Sequence, residues 1–172
     1  MNISELYKPK LSTSIISAAE QYYKEKLMMG DDNLRKTLSK MGWKYLDEGA
    51  FSKVFENPKK NYILKINSSP DVAYARFVDI IHKHRNKHFP KISDMKQIEF
   101  ENRNYFIYLI EKLNKMPIGS YWNDPIRDII NHPSASLEDL YLNKYGMDAI
   151  PEILVKNPSL VSAARILGKN IG

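Results

Sequence analysis

The stretch WKYLDEGAFSKVF (Trp43–Phe55), continued by NYILKI at Asn61–Ile66, is where the chain changes character. Upstream of it apolar residues recur at helical spacing, and from Trp43 onward they alternate. Trp43 and Tyr45 on one side, Val54 and Phe55 on the other, bracket a turn that contains Gly49. NPKKN (Asn57–Asn61) then has the composition of a hairpin turn. In NYILKI, Tyr62, Leu64 and Ile66 alternate with Ile63 and Lys65, which puts Lys65 on the face of Ile63. An ammonium flanked by Ile, Leu and Ile in a central strand is costly to bury without a partner. It either reaches solvent or meets an anion.

Downstream, Ser68, Ser69, Pro70 and Asp71 form a helix entry. VAYARFVDIIHKHRNK (Val72–Lys87) is predicted helical, with Ala73, Phe77, Ile80 and His84 on one stripe, and Pro90 ends it. HFPKI (His88–Ile92) returns the chain to extended structure. Two alternating segments follow, KQIEFE (Lys96–Glu101) and NYFIYLI (Asn104–Ile110), joined by a turn at Asn102–Arg103. Ile98 and Phe100 alternate with Gln97, Glu99 and Glu101, as a half-exposed strand should.

Ahead of Trp43 the leader reads as helical. Ser12, Thr13 or Ser14 caps a helix through IISAAEQYYKEKLMM (Ile15–Met29), with Gly30 as its stop. A second helix from Asp31 or Asp32 sets Leu34 and Leu38 four apart. The tyrosines and methionines of both are expected to be packing residues. Beyond Leu113 come short helical segments at Pro125–Ile130 and Leu137–Tyr145, the latter capped by Ser134 or Ser136. EILVKN follows Pro151, and SLVSAARILGKN follows Pro158, with Gly168 as its C-terminal cap. The expected fold is α+β: a five-stranded antiparallel sheet with one packed helix, preceded by a helical leader and followed by a short helical C-terminal region. Its divisions fall at residues 1–41, 42–113 and 114–172.

Composition narrows the classes of function. At 172 residues, 43% of them apolar and 27% charged, the chain can bury a core and is not of disordered type. No apolar run is long enough for a bilayer, and no signal-peptide pattern opens the chain, so no membrane partner and a cytoplasmic setting are expected. The absence of cysteine removes disulfides and thiolate metal sites. Net charge is +6, yet acids and bases are interleaved, and only HKHRNKH (His82–His88) is locally dense. A solvated helix end explains that run, so nucleic acid is not the expected partner. His84 and His88 stand four apart, but Pro90 follows and no carboxylate is well placed, so no metal site is assigned.

Taken together, the order of strand, glycine turn, strand, hairpin, lysine-bearing strand, helix, strand and strand resembles the small nucleotide-binding lobe of protein kinases. Short kinase-like proteins encoded by bacterial viruses are among its members. Kinases mark the phosphate-covering hairpin with G-x-G-x-x-G-x-V and the lysine strand with V-A-I-K. Here the first motif reads Asp47-Glu48-Gly49-Ala50-Phe51-Ser52-Lys53-Val54, with only the middle glycine kept, and Asp47 adds negative charge near the phosphate path. The resemblance implies that Gly49 and Phe51 lie at the phosphates and that Val54 and Leu46 cover the adenine. Lys65 would meet the phosphates and pair with a helical acid at Asp79, where kinases have glutamate. Ile110 would guard the back pocket, and Glu111 to Leu113 would form the hinge that pairs with the adenine edge through its main chain.

The same resemblance defines what is absent. Nothing from Met1 to Gly172 reads as H-R-D-x-x-x-x-N or D-F-G, and Asp124, Asp128, Asp139 and Asp148 lack that context. Residues 158–172 resemble the helix that precedes a catalytic loop. The expectation is therefore a pseudokinase-type or truncated lobe with no catalytic residue, taking ATP as its ligand without protein-ligated magnesium. Its partners would be a nucleotide, another protein, or a separate chain carrying the rest of a kinase. The alternatives are an interaction or inhibitor module that binds no nucleotide, with Trp43, Trp122 and the tyrosine-rich leader as interface, or a nucleic-acid binder acting through His82–His88.

Overall fold

The computed structural model describes residues 8–25, 32–112, 123–145, 150 and 152–171. In chain order the elements are α1 (Thr13–Glu25), α2 (Asp32–Lys40), β1 (Lys44–Gly49), β2 (Ser52–Glu56), β3 (Tyr62–Asn67) and α3 (Val72–Lys83). After these come β4 (Ile92–Phe100), β5 (Arg103–Glu111), α4 (Asn123–Asn131), α5 (Leu137–Tyr145), α6 (Glu152–Lys156) and α7 (Pro158–Ile171). Two compact units divide the chain: Met1–Val72 with Lys91–Leu113, and Ala73–Pro90 with Asn114–Gly172.

The first unit is a five-stranded antiparallel sheet in the order β1-β2-β3-β5-β4. Phe55 faces Leu64, and Leu64 faces Leu109, so the three share one face with Ile66 and Ile107. An apolar sheet face must be covered. Here the leader covers it: Ile15, Ala18, Ala19, Tyr22 and Tyr23 of α1 and Leu34 and Leu38 of α2 join those strand residues in one core. Leader and sheet are thus one folding unit, and the division expected at residue 41 separates two halves of a single core. Burying each such large side chain is worth roughly 1.5–3 kcal/mol, a gain neither half has alone.

Local chemistry sets the leader's geometry. Of the three hydroxyls proposed as caps, Ser12 serves: its Oγ accepts from Ile15 N–H at 3.3 Å. At the far end of α2 the chain turns through Gly42 at φ 83°. Gly42 N–H donates to Ser39 O at 2.9 Å and Trp43 N–H to Leu38 O at 3.0 Å, the two bonds of a Schellman ending. That ending delivers Trp43 into the core beside Tyr62, ring centroids 6.1 Å apart. The sequence reading gave Gly42 no role.

Two strand boundaries also differ from expectation. The β4–β5 hairpin turns at Glu101 (φ 50°) and Asn102 (φ 58°), one residue earlier than expected. Positive φ at both central positions is the twist a two-residue hairpin requires. Of HFPKI only Ile92 enters a strand, as the first residue of β4.

Asn67, at the end of β3 and fully buried, ties the unit together. Its carbonyl accepts from Tyr23 Oη at 2.9 Å, its Oδ1 accepts from Phe106 N–H at 3.2 Å, and its Nδ2 donates to Phe51 O at 3.3 Å. Burial pushes the Tyr23 phenol far above its usual range, with Tyr22, Tyr105 and Tyr108 adding to the effect. A phenol that cannot ionise when folded but does so near pH 10 when unfolded stabilises fully below that pH and progressively less above it. Urea unfolding at pH 8 to 11 should therefore show stability falling above pH 10 by about 1.4 kcal/mol per pH unit for this group. Tyr23→Phe should flatten the decline. An equally steep decline in the variant would assign it to other groups.

In the second unit α3 buries Val78, Ile80 and Ile81, not the Ala73–Phe77–Ile80–His84 stripe, and ends at Lys83. The shorter helix leaves His84 beyond its end, so the expected stripe loses its last member. The segment that follows is tied to α7, with Asn86 Nδ2 donating to Ser159 O at 2.8 Å and His88 Nε2 lying 3.0 Å from Ser159 Oγ. Helices α4 to α7 close on Ile129, Tyr141, Leu154, Val161 and Ala164. Ser136 caps α5, its Oγ accepting from Asp139 N–H at 2.9 Å and donating to Asp139 Oδ2 at 2.7 Å. Gly168, expected as a cap, lies inside α7, where its Cα faces the Ile130 carbonyl of α4 too closely for any side chain.

Candidate functional site

The second face of the sheet carries the lysine. Val54, Lys65, Tyr108 and Met95 stand opposite one another across β2, β3, β5 and β4, with Ile63 and Ile110 paired beside them. Strand alternation puts these residues on the side opposite Phe55, Leu64 and Leu109. Tyr108 and Ile110 are buried, and Val54 and Ile63 are half-buried. The Lys65 side chain is 12% exposed, and its Nζ lies 3.7 Å from Asp71 Oδ2, itself 12% exposed. Burial pushes the ammonium's pKa below the usual lysine range, and Asp71 opposes that only in part. Lys65 is held inside, beside an acid.

That acid is not the one expected. Asp79 pairs with Lys83 at 3.7 Å along its own helix and is largely exposed. Asp71 stands at the entry to α3, close in sequence to Lys65, and the helix contains no acid in its first turn. The sequence marked Asp71 as part of a helix entry, and its nearness to Lys65 along the chain was the one signal for the second role.

The Gly49 hairpin is held at its tip. Phe51 O accepts from Ser68 N–H at 2.8 Å, Ser69 N–H at 3.3 Å and Asn67 Nδ2 at 3.3 Å, which pins the turn to the exit of β3. Phe51 is 52% exposed. Gly49 itself has ordinary backbone angles, and a Cβ built there meets nothing within 4 Å. None of the described residues comes close enough to require glycine at this position. One residue pair below the tip, the buried Lys53 ammonium meets Glu48 Oε2 at 2.7 Å, and Arg35 of α2 meets the same oxygen at 3.2 Å while lying 3.8 Å over the Tyr45 ring. Hydrogen bonding from Lys53, then from Tyr45, holds the Glu48 carboxyl below the usual range. Leu46, expected over the adenine, is half-exposed at a bulge between Tyr45 and Asp47.

At the other end of the face, Glu111 N–H donates to Lys91 O at 2.9 Å and Lys112 N–H to Asn61 O at 3.0 Å. Two main-chain donors of the expected hinge are thus engaged by the sheet, and Leu113 lies outside the described residues. Glu111 also pairs with Lys91 at 3.7 Å. No group of His, Asp and Glu among the described residues is arranged to hold a metal ion, and none of the described helices is long and apolar enough to cross a membrane. A groove of about 860 Å³ opens in the helical unit beside Leu137, Leu154, Val161, Arg165 and Lys169. None of the residues expected to bind nucleotide lines it.

Three members of the interface expected for the interaction-module alternative lie in the core of the sheet unit. Trp43 is 2% exposed, and Tyr22 and Tyr23 are buried in the same core; Trp122 lies outside the described residues. Comparison with family models, with curated proteins and with solved structures found no match to this chain.

Proposed function

We propose that the sheet unit is a kinase-like nucleotide lobe that binds the phosphate end of ATP and does not transfer phosphate. The observation that carries this reading is Lys65, an ammonium kept 12% exposed in the middle strand of the sheet next to an open glycine hairpin. A solvated lysine would need neither that burial nor the acid beside it. A glycine that the backbone does not need is accounted for if a ligand passes close above it. The ordered series of strands, glycine turn, lysine and helix adds to this, and the want of any H-R-D or D-F-G sequence in these residues restricts the role to binding.

Titration with ATP and magnesium, followed by thermal shift and calorimetry, tests it. The unmodified protein should be stabilised by ATP, and Lys65→Met should lose the response. Gly49→Ala should fold at least as stably, gaining about 0.4–1 kcal/mol from a less flexible unfolded chain, yet bind more weakly. ATP binding that survives both changes would remove the proposal.

A further inference from the structure

We propose that Asp71 is an internal competitor for Lys65: its carboxylate holds the ammonium while the site is empty and opposes any phosphate that takes its place. This rests on the reading of the Lys65 face as a phosphate site and adds what sets its affinity.

The Lys65 Nζ to Asp71 Oδ2 distance is 3.7 Å, well beyond the ~2.7–2.9 Å of a charge-assisted hydrogen bond. At that oxygen the pair is an attraction across a gap. Asp71 cannot simply leave. It follows Pro70, whose φ is fixed, and Ser68 and Ser69 are bonded through their amides to Phe51 O. A phosphate oxygen in hydrogen-bond reach of Nζ would then lie no more than about 6.5 Å from Asp71 Oδ2. Two anions at that range, with the pair only slightly exposed, repel appreciably. Phosphate binding at Lys65 therefore proceeds against the Asp71 charge, and that repulsion costs affinity.

An orienting acid behaves in the opposite way, since its removal lets the lysine drift and weakens binding. The signs separate the two roles. Calorimetric titration with ATP–magnesium, and with inorganic tripolyphosphate to isolate the phosphate end, should be run on the unmodified chain, Asp71→Asn, Asp71→Ser and Lys65→Met. Serine retains helix-capping ability without charge, so it covers the case in which Asp71→Asn folds poorly. Circular dichroism checks each variant. Neutral residues at position 71 should tighten binding of both ligands roughly tenfold, the order set by removing one nearby unit charge under partial screening. Affinity unchanged or lowered in both neutral variants, with the unmodified chain still binding through Lys65, would overturn the competitor role alone. No binding by any variant, or undiminished binding by Lys65→Met, would overturn it together with the nucleotide reading.

Discussion

Trp43→Ala is expected to cost the sheet unit about 3–5 kcal/mol, the range for truncating a large buried aromatic. Trp43 is 2% exposed and closes the core where α2 hands the chain to β1. Its ring meets Tyr62, and Lys60 Nζ lies 5.6 Å from the Trp43 centroid and 5.5 Å from that of Tyr62. Removing the indole therefore leaves a cavity in the core beside Tyr62 and takes a cation–π contact with it. Trp43 is also the residue whose N–H completes the ending of α2; that bond belongs to the backbone and survives, so the loss reports what the indole side chain contributes. Urea unfolding followed by circular dichroism measures it. A loss below about 1.5 kcal/mol would mean that the leader does not close on the sheet as described.

Gly168→Ala should destabilise the helical unit by about 2–3 kcal/mol. In an exposed helix the same change gains about 1 kcal/mol, so the sign itself is diagnostic. A Cβ at position 168 would clash with the Ile130 carbonyl oxygen and come 3.0 Å from its carbon and 3.0 Å from Pro133 Cβ. Backbone cannot rotate away as a side chain can. Helix α7 would have to lift from α4, loosening Ile129 against Val161 and Ala164. Gly49→Ala is the matched control, since its Cβ enters open space. A Gly168→Ala protein that melts at or above the parent temperature would place the two helices farther apart than they are here.

Legibility differed sharply between kinds of feature. Alternation around Gly49, Lys65 and Phe106–Ile110 was enough to assign five antiparallel strands, because a pleated strand with two unlike faces writes its period into the sequence. Leu34 and Leu38 gave α2 for the same reason. Turn and cap positions were less exact. The sequence favours Asn102–Arg103 over Glu101–Asn102 because glutamate rarely takes positive φ, and it favours Gly168 as a cap because close helix contact leaves no local mark. Among site residues, the sequence places Lys65 on a strand face with solvent or an anion as its alternatives, and it does not single out Asp71 as that anion. Asp79 was chosen by analogy of position, whereas Asp71 is brought to the lysine by a bend whose path depends on the bonds to Phe51 O.

What the residues alone determined is the sheet, the helices and one lysine on a strand with an apolar face, since periodicity and side-chain chemistry are local properties. Tertiary structure decided which surfaces those elements would spend on each other. Trp43, Tyr22 and Tyr23, equally suited to an interface by composition, became the core because a five-stranded sheet needs one face covered and the leader supplies the apolar area to do it. It likewise decided that Lys65 meets Asp71, since an ion pair is a matter of distance in space, and distance along the chain constrains that only after the turn between them is folded.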